Sequence, residues 1–144
     1  MGVYSRFKKN PEGFRALVEL LESTPASRRQ RMIDVGMEED PAYTQKAMEF
    51  MLNFEDIKNL PDMELAEVLA TAQPRTVAYA IKPFEDALKT RFLKNCKPQL
   101  AAQIKDFLVM DIAPRDIGGA QLKMIEVARQ CEKAGFLKTK RIPL

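Results

Sequence analysis

Cys96 and Cys131 are the only thiols in this 144-residue chain, and no histidine accompanies them. Without an imidazole there is no Cys–His or Ser–His–Asp nucleophile, no His-based general acid–base pair, and most zinc sets are excluded. The two cysteines read as reduced core or boundary residues. No glycine-rich phosphate loop, nucleophile–base pairing or metal-ligand set occurs, so neither an enzyme, a cofactor nor a small-molecule ligand is expected. Basic residues gather at "RFKK" (6–9), "RRQR" (28–31) and "LKTKR" (137–141), but acids lie between them and the net charge is only +3. A nucleic-acid surface carries a one-faced excess with aromatics free to stack. These clusters therefore read as solvated faces, and no nucleic-acid partner is expected.

The elements that must position any functional group are helices. With 46% hydrophobic and 30% charged residues the chain has the make-up of a folded globular protein. No apolar run reaches membrane-spanning length and "MGVYSRFKKN" lacks a signal-peptide core, so a cytosolic protein is expected. Eight of the nine prolines (Pro11, Pro25, Pro41, Pro61, Pro74, Pro83, Pro98 and Pro114) fall where a helix would begin. A proline in the first helical turn loses nothing, because its missing N–H has no intrahelical partner there. Asn10, Thr24 and Asp40 precede three of them as caps, and Gly36 and Gly135 read as C-terminal stops.

Apolar residues recur at helical spacing between these marks. One stripe is Phe14, Leu17, Val18 and Leu21; a second is Ala47, Phe50, Met51 and Phe54; a third is Leu65, Val68, Leu69 and Ala72. Leu100, Ile104, Phe107 and Leu108 line a fourth face, and Ile117 through Cys131 a longer one. The expectation is an all-α protein of eight or nine short helices. The first three, near 11–22, 25–35 and 41–53, resemble an armadillo-type repeat, and those from about 62 onward form a separate compact bundle. The acid-rich stretch 52–60 joins the two.

That joining stretch, "MLNFEDIKNLPD" (51–62), resembles the Met-Phe-x-Phe-Glu-Asp segment of the flagellar motor switch protein family, FliG. Upstream, "LVELLESTPASRRQRMIDVGMEEDP" follows that family's armadillo-repeat spacing. Downstream, "YAIKPFEDALKTRFLKNCKPQLAAQIKDFL" and "APRDIGGAQLKMIEVARQCEKAGFL" follow its torque-domain segments in order. The resemblance implies an armadillo-type helical repeat over 1–54 and a compact six-helix torque-type bundle over 55–144. It implies a hinge at Met51, Leu52, Asn53 and Phe54. The residues themselves leave a second reading, a core helix end, and both can hold. Phe54 is expected to be buried.

In the family the torque domain turns charged residues toward a MotA-type stator loop. Matched position by position, the resemblance assigns that role to Lys82, Asp106 and Arg115. Gln99 and Phe107 stand where two further charges would be, so the pattern is partial. Phe107 also belongs to the apolar row with Leu100 and Ile104. The implied function is a non-enzymatic rotor and switch component at the basal body, cytoplasmic and peripheral to the inner membrane. Its implied partners are neighbouring FliM-like and FliG-like switch-ring subunits. Gln99 and Phe107 keep open an alternative, a diverged adaptor that retains the fold without full stator coupling. The family's N-terminal and middle domains have no counterpart here, so an apolar face within residues 14–35 is expected to stay open and to favour self-association.

Overall fold

A computed structural model describes residues 3–143. Its regular structure is ten helical segments, with no strand among the described residues. These divide into two compact units, residues 3–52 together with 140–143, and residues 53–139.

The first unit holds α1 (Val3–Lys9), α2 (Gly13–Ser23), α3 (Ala26–Glu39) and α4 (Pro41–Phe50). Helix α1 is not signalled by proline or cap, but Tyr4 is buried and donates its hydroxyl hydrogen to the Met32 carbonyl. Leu17, Val18, Leu21, Ile33 and Ala47 complete the centre with Ile142 from the C-terminal segment. Around them sit half-buried Phe7, Phe14, Met32, Met37, Tyr43, Phe50 and Met51. Helix α1 packs on α2 and covers part of the face expected to be open, while Leu20 and Val35 stay exposed.

The second unit holds α5 (Phe54–Lys58), α6 (Asp62–Thr71), α7 (Pro74–Ile81), α8 (Asp86–Lys94), α9 (Pro98–Leu108) and α10 (Pro114–Lys133). Helix α7 lies against both α9 and α10. Its buried residues Val77, Ala78, Ala80 and Ile81 include two alanines, small enough for close backbone approach on both sides. Helix α10 supplies Ala120, Met124, Ile125, Val127, Ala128 and Cys131 to the same core.

Proline placement is right in detail at Pro41, Pro74, Pro98 and Pro114, each the first residue of its helix. Pro25 and Pro61 stand one residue earlier as N-caps, whereas Pro11 and Pro83 lie in turns before their helices. Of the three caps, Asp40 accepts from the Tyr43 amide as expected. Asn10 instead accepts from Glu12 within the turn, and the Thr24 hydroxyl donates back to the Leu20 carbonyl at the end of α2.

Gly135 does end α10: its φ is +90°, and the Phe136 and Gly135 amides donate to the Cys131 and Glu132 carbonyls. Gly36 does not end a helix. It lies inside α3, where an added Cβ would come within 2.5 Å of both Thr44 Oγ1 and the Tyr4 ring. It is glycine because α1 and α4 crowd it.

The expected joint at 52–60 is also shorter than the sequence suggested. From Asn53 onward the chain belongs to the second unit, with Ile57 and Leu60 fully buried and α5 packed on α10.

Candidate functional site: the junction and a charged face

The link between the units is set from both sides. Helix α4 stops at Phe50, and Met51 is extended, with φ −64° and ψ 129°. The Met51 carbonyl accepts from Lys140 Nζ at 2.8 Å. Leu52 is buried in the first unit, and its amide donates to Glu22 Oε2 at 2.8 Å. An unpaired amide there would carry a desolvation cost, which the Glu22 side chain removes. Arg29 closes the adjoining end of α2 by donating to the Leu21 and Thr24 carbonyls.

One residue on, the geometry changes owner. Asn53 caps α5 in a reciprocal capping box: its Oδ1 accepts from the Asp56 amide, and Asp56 Oδ2 accepts from the Asn53 amide, each at 2.9 Å. Phe54 then opens α5 and stacks on Phe84, with centroids 5.6 Å apart and planes 15° apart. Lys58 Nζ lies 4.5 Å from the same Phe84 ring.

Phe54 is therefore half-buried in the second unit. It neither continues the stripe of Ala47, Phe50 and Met51 nor is fully buried, because the break at Met51–Asn53 resets the helical phase. Arg91 fixes the α5–α6 turn by donating to the Lys58 and Leu60 carbonyls and to Asp62 Oδ1. Neither Glu22 nor Arg91 has a sequence signature, since each role depends on which carbonyl or amide tertiary packing brings to it.

The three charges carried over from the resemblance are placed differently from one another. Lys82 follows α7, is half-buried, and donates its Nζ to the Leu108 carbonyl, capping the C-terminus of α9 where positive charge is favourable. Asp106 is exposed on α9, two turns beyond Gln99, which is also exposed. Phe107 is half-buried and meets the Tyr79 ring edge-on, with centroids 6.5 Å apart. Arg115 is exposed at the second position of α10, where it lines a cleft of about 490 Å³ with Arg75, Asp116 and Lys123. Lys82 and Asp106 do not line that cleft.

The thiols fit the packing role expected of them. Burial raises the pKa of both, and Cys96 Sγ and Cys131 Sγ point to the Phe92 carbonyl and Thr71 Oγ1. Among the described residues no cluster of three or more His, Cys, Asp or Glu could hold a metal ion, and no helix is long and apolar enough to cross a membrane. The second unit also buries an ion pair that went unnoticed in the sequence, Arg129 Nη1 to Glu132 Oε1 at 2.8 Å, with both side chains only 2% exposed.

Two compact helical units, the second carrying exposed charge at Asp106 and Arg115, define an all-α protein over the described residues. The family model of the FliG C-terminal domain matches residues 37–138, and the chain belongs to that family, one of non-enzymatic flagellar switch proteins. It is 29% identical over 136 residues to the flagellar motor switch protein FliG of Thermotoga maritima, covering 93% of this chain and 41% of that protein. To the FliG of Aquifex aeolicus it is 26% identical over 129 residues, covering 88% and 39%. The fold matches a crystal structure of FliG residues 86–343 from H. pylori with a TM-score of 0.64 at 23% identity, over 95% of this chain and 66% of that one. The chain thus spans about two-fifths of the length of these curated relatives.

Proposed function

We propose that this chain is the rotor-side module of a flagellar switch, coupling a switch ring to a stator for torque and direction switching. In this reading the first unit is an armadillo-type repeat that binds neighbouring FliM-like and FliG-like subunits. The second unit, helices α5 to α10, is the torque-type bundle whose charges meet a MotA-type stator loop. The module works in the cytoplasm, peripheral to the inner membrane at the basal body. The observation that carries it is the family match across both units, 37–138, with the helical break inside it at Met51–Asn53. The link is held by Glu22 on one side and by the Asn53–Asp56 box on the other, so each end can be released without breaking the other. Such an element suits two-state reorientation.

Asp106 and Arg115 are the exposed charges suited to a partner, and function there is electrostatic steering and registration. Arg115→Asp and Asp106→Lys should each change folding stability by only about 0.5 kcal/mol, as exposed substitutions do. In a motile strain whose switch protein carries this chain, each should lower swimming torque in a graded way, and the pair more than either. Unchanged swimming by a folded double variant would sink the rotor reading. The diverged adaptor would then stand in its place. Two observations favour that second reading: Lys82 is occupied by the Leu108 carbonyl, and Phe107 packs on Tyr79.

A further inference from the structure

We infer that the cleft between α7 and the first turns of α10 receives carboxylate side chains from an acidic segment of a protein partner; this rests on the proposed rotor reading for the partner's being a protein. The cleft is lined by Arg75, Tyr79, Arg115, Asp116, Gly119 and Lys123, among others. Three cations face one carboxylate. Arg75 and Arg115 are exposed, and neither makes an ion pair among the described residues. Lys123 reaches only Glu126, at 3.4 Å, with both side chains more than half exposed.

Arg75 is prepared for a carboxylate. Its guanidinium carbon lies 6.0 Å from the centroid of the Tyr79 ring, and Tyr79 is itself braced edge-on by Phe107. A guanidinium held over a ring keeps its N–H fork free for bidentate pairing, with less side-chain freedom left to lose on binding.

Gly119 supplies the second argument. Glycine is the least favourable residue after proline in a helix interior, yet Gly118 and Gly119 both lie in the body of α10. Neither has a positive φ, and a Cβ added at either would meet nothing within 4 Å. No turn and no close approach calls for glycine here. What Gly119 provides is room between Arg75 and Lys123 for side chains from outside.

An acidic protein segment fits this lining better than nucleic acid. Asp116 stands among the cations and would repel a continuous phosphate chain, whereas a polypeptide can alternate acids with hydrogen-bond donors. The one aromatic face present is already covered by Arg75, and base stacking needs a free one.

The test is fluorescence anisotropy with the full chain and a labelled peptide of alternating glutamate and serine, against an oligothymidylate of equal charge. The peptide should bind, more weakly as salt rises. Arg75→Gln and Arg115→Gln should each weaken it about tenfold, as loss of a charge-assisted hydrogen bond does. Gly119→Glu should abolish binding while melting no lower than the parent, because it fills the cleft with like charge and improves helix propensity. Lys138→Gln, outside this cleft, should leave affinity unchanged. Failure of the parent chain to bind the peptide would overturn the proposal. So would full binding by folded Gly119→Glu, or tighter binding of the oligothymidylate through Arg75 and Arg115. The rotor reading is judged separately, by swimming of the Asp106→Lys and Arg115→Asp strains. Reduced swimming alongside normal peptide binding by Arg75→Gln and Gly119→Glu would remove the cleft and keep the rotor.

Discussion

The two units solve the same packing problem with different materials. In the second, α7 presents small and branched residues to two neighbours at once, and Leu65, Leu69, Val77, Ile81, Phe92 and Ile104 are all fully buried. In the first, a modest aliphatic centre is ringed by half-buried aromatics and methionines, among them Phe14, which meets Tyr43 and Phe50 edge-on at 5.6 and 5.8 Å. Flexible methionine and partly wetted rings tolerate adjustment, whereas close-packed aliphatics transmit displacement as a block. The contrast is between an adaptable core in the first unit and a close-packed one in the second.

The largest expected effect tests that contrast directly. Phe92→Ala should destabilise the chain by about 3–5 kcal/mol, the cost of a large cavity in a tight core. Phe14→Ala, at a half-buried site, should cost about 2 kcal/mol from lost burial and lost ring pairs. Urea denaturation of both variants reads the difference. Equal costs would mean that the first unit is packed as tightly as the second.

The junction comes next. Glu22→Ala strands the buried Leu52 amide and should cost about 1–3 kcal/mol. Asn53→Ala removes half of a capping box and should cost about 1 kcal/mol. Amide hydrogen exchange separates the two: Leu52 should lose protection with Glu22→Ala, and the first turn of α5 with Asn53→Ala. If either variant exposed both, the link would be one cooperative element and not two independently fixed ends.

The smallest effect is a pH response of the first unit. Lys8 Nζ bonds Asp40 Oδ2 at 2.7 Å, and that bond, then the Tyr43 amide, holds the Asp40 carboxyl below the usual carboxylate range. A carboxyl depressed on folding contributes stability above its unfolded pKa and loses it as pH falls through the folded value. Both groups are open to water, so the contribution is small. The melting temperature of the parent relative to Asp40→Asn should be slightly higher at neutral pH and converge on it below about pH 4. Equal melting temperatures at neutral pH would show that the Lys8–Asp40 bond carries no energetic weight, and a difference that persists on acidification would show that it does not arise from the Asp40 charge.

Local chemistry made much of this protein readable in advance. Pro41, Pro74, Pro98 and Pro114 mark helix starts because proline's fixed φ and missing N–H act within one turn. Gly135 marks a stop because its positive φ is a backbone property of one residue. The stripes of α2, α6 and α10 point inward as their spacing requires, since one helix face must be dry. What depended on distant chain was decided by tertiary structure alone. Gly36 looks like a stop until Tyr4 and Thr44 arrive beside it. Phe54 looks like the end of one stripe until three non-helical residues change its phase and Phe84 becomes its partner. Lys82 looks like a free charge until the end of α9 offers a carbonyl. Glu22 and the buried Arg129–Glu132 pair carry no local mark, because a buried polar group is defined by the partner that folding brings to it.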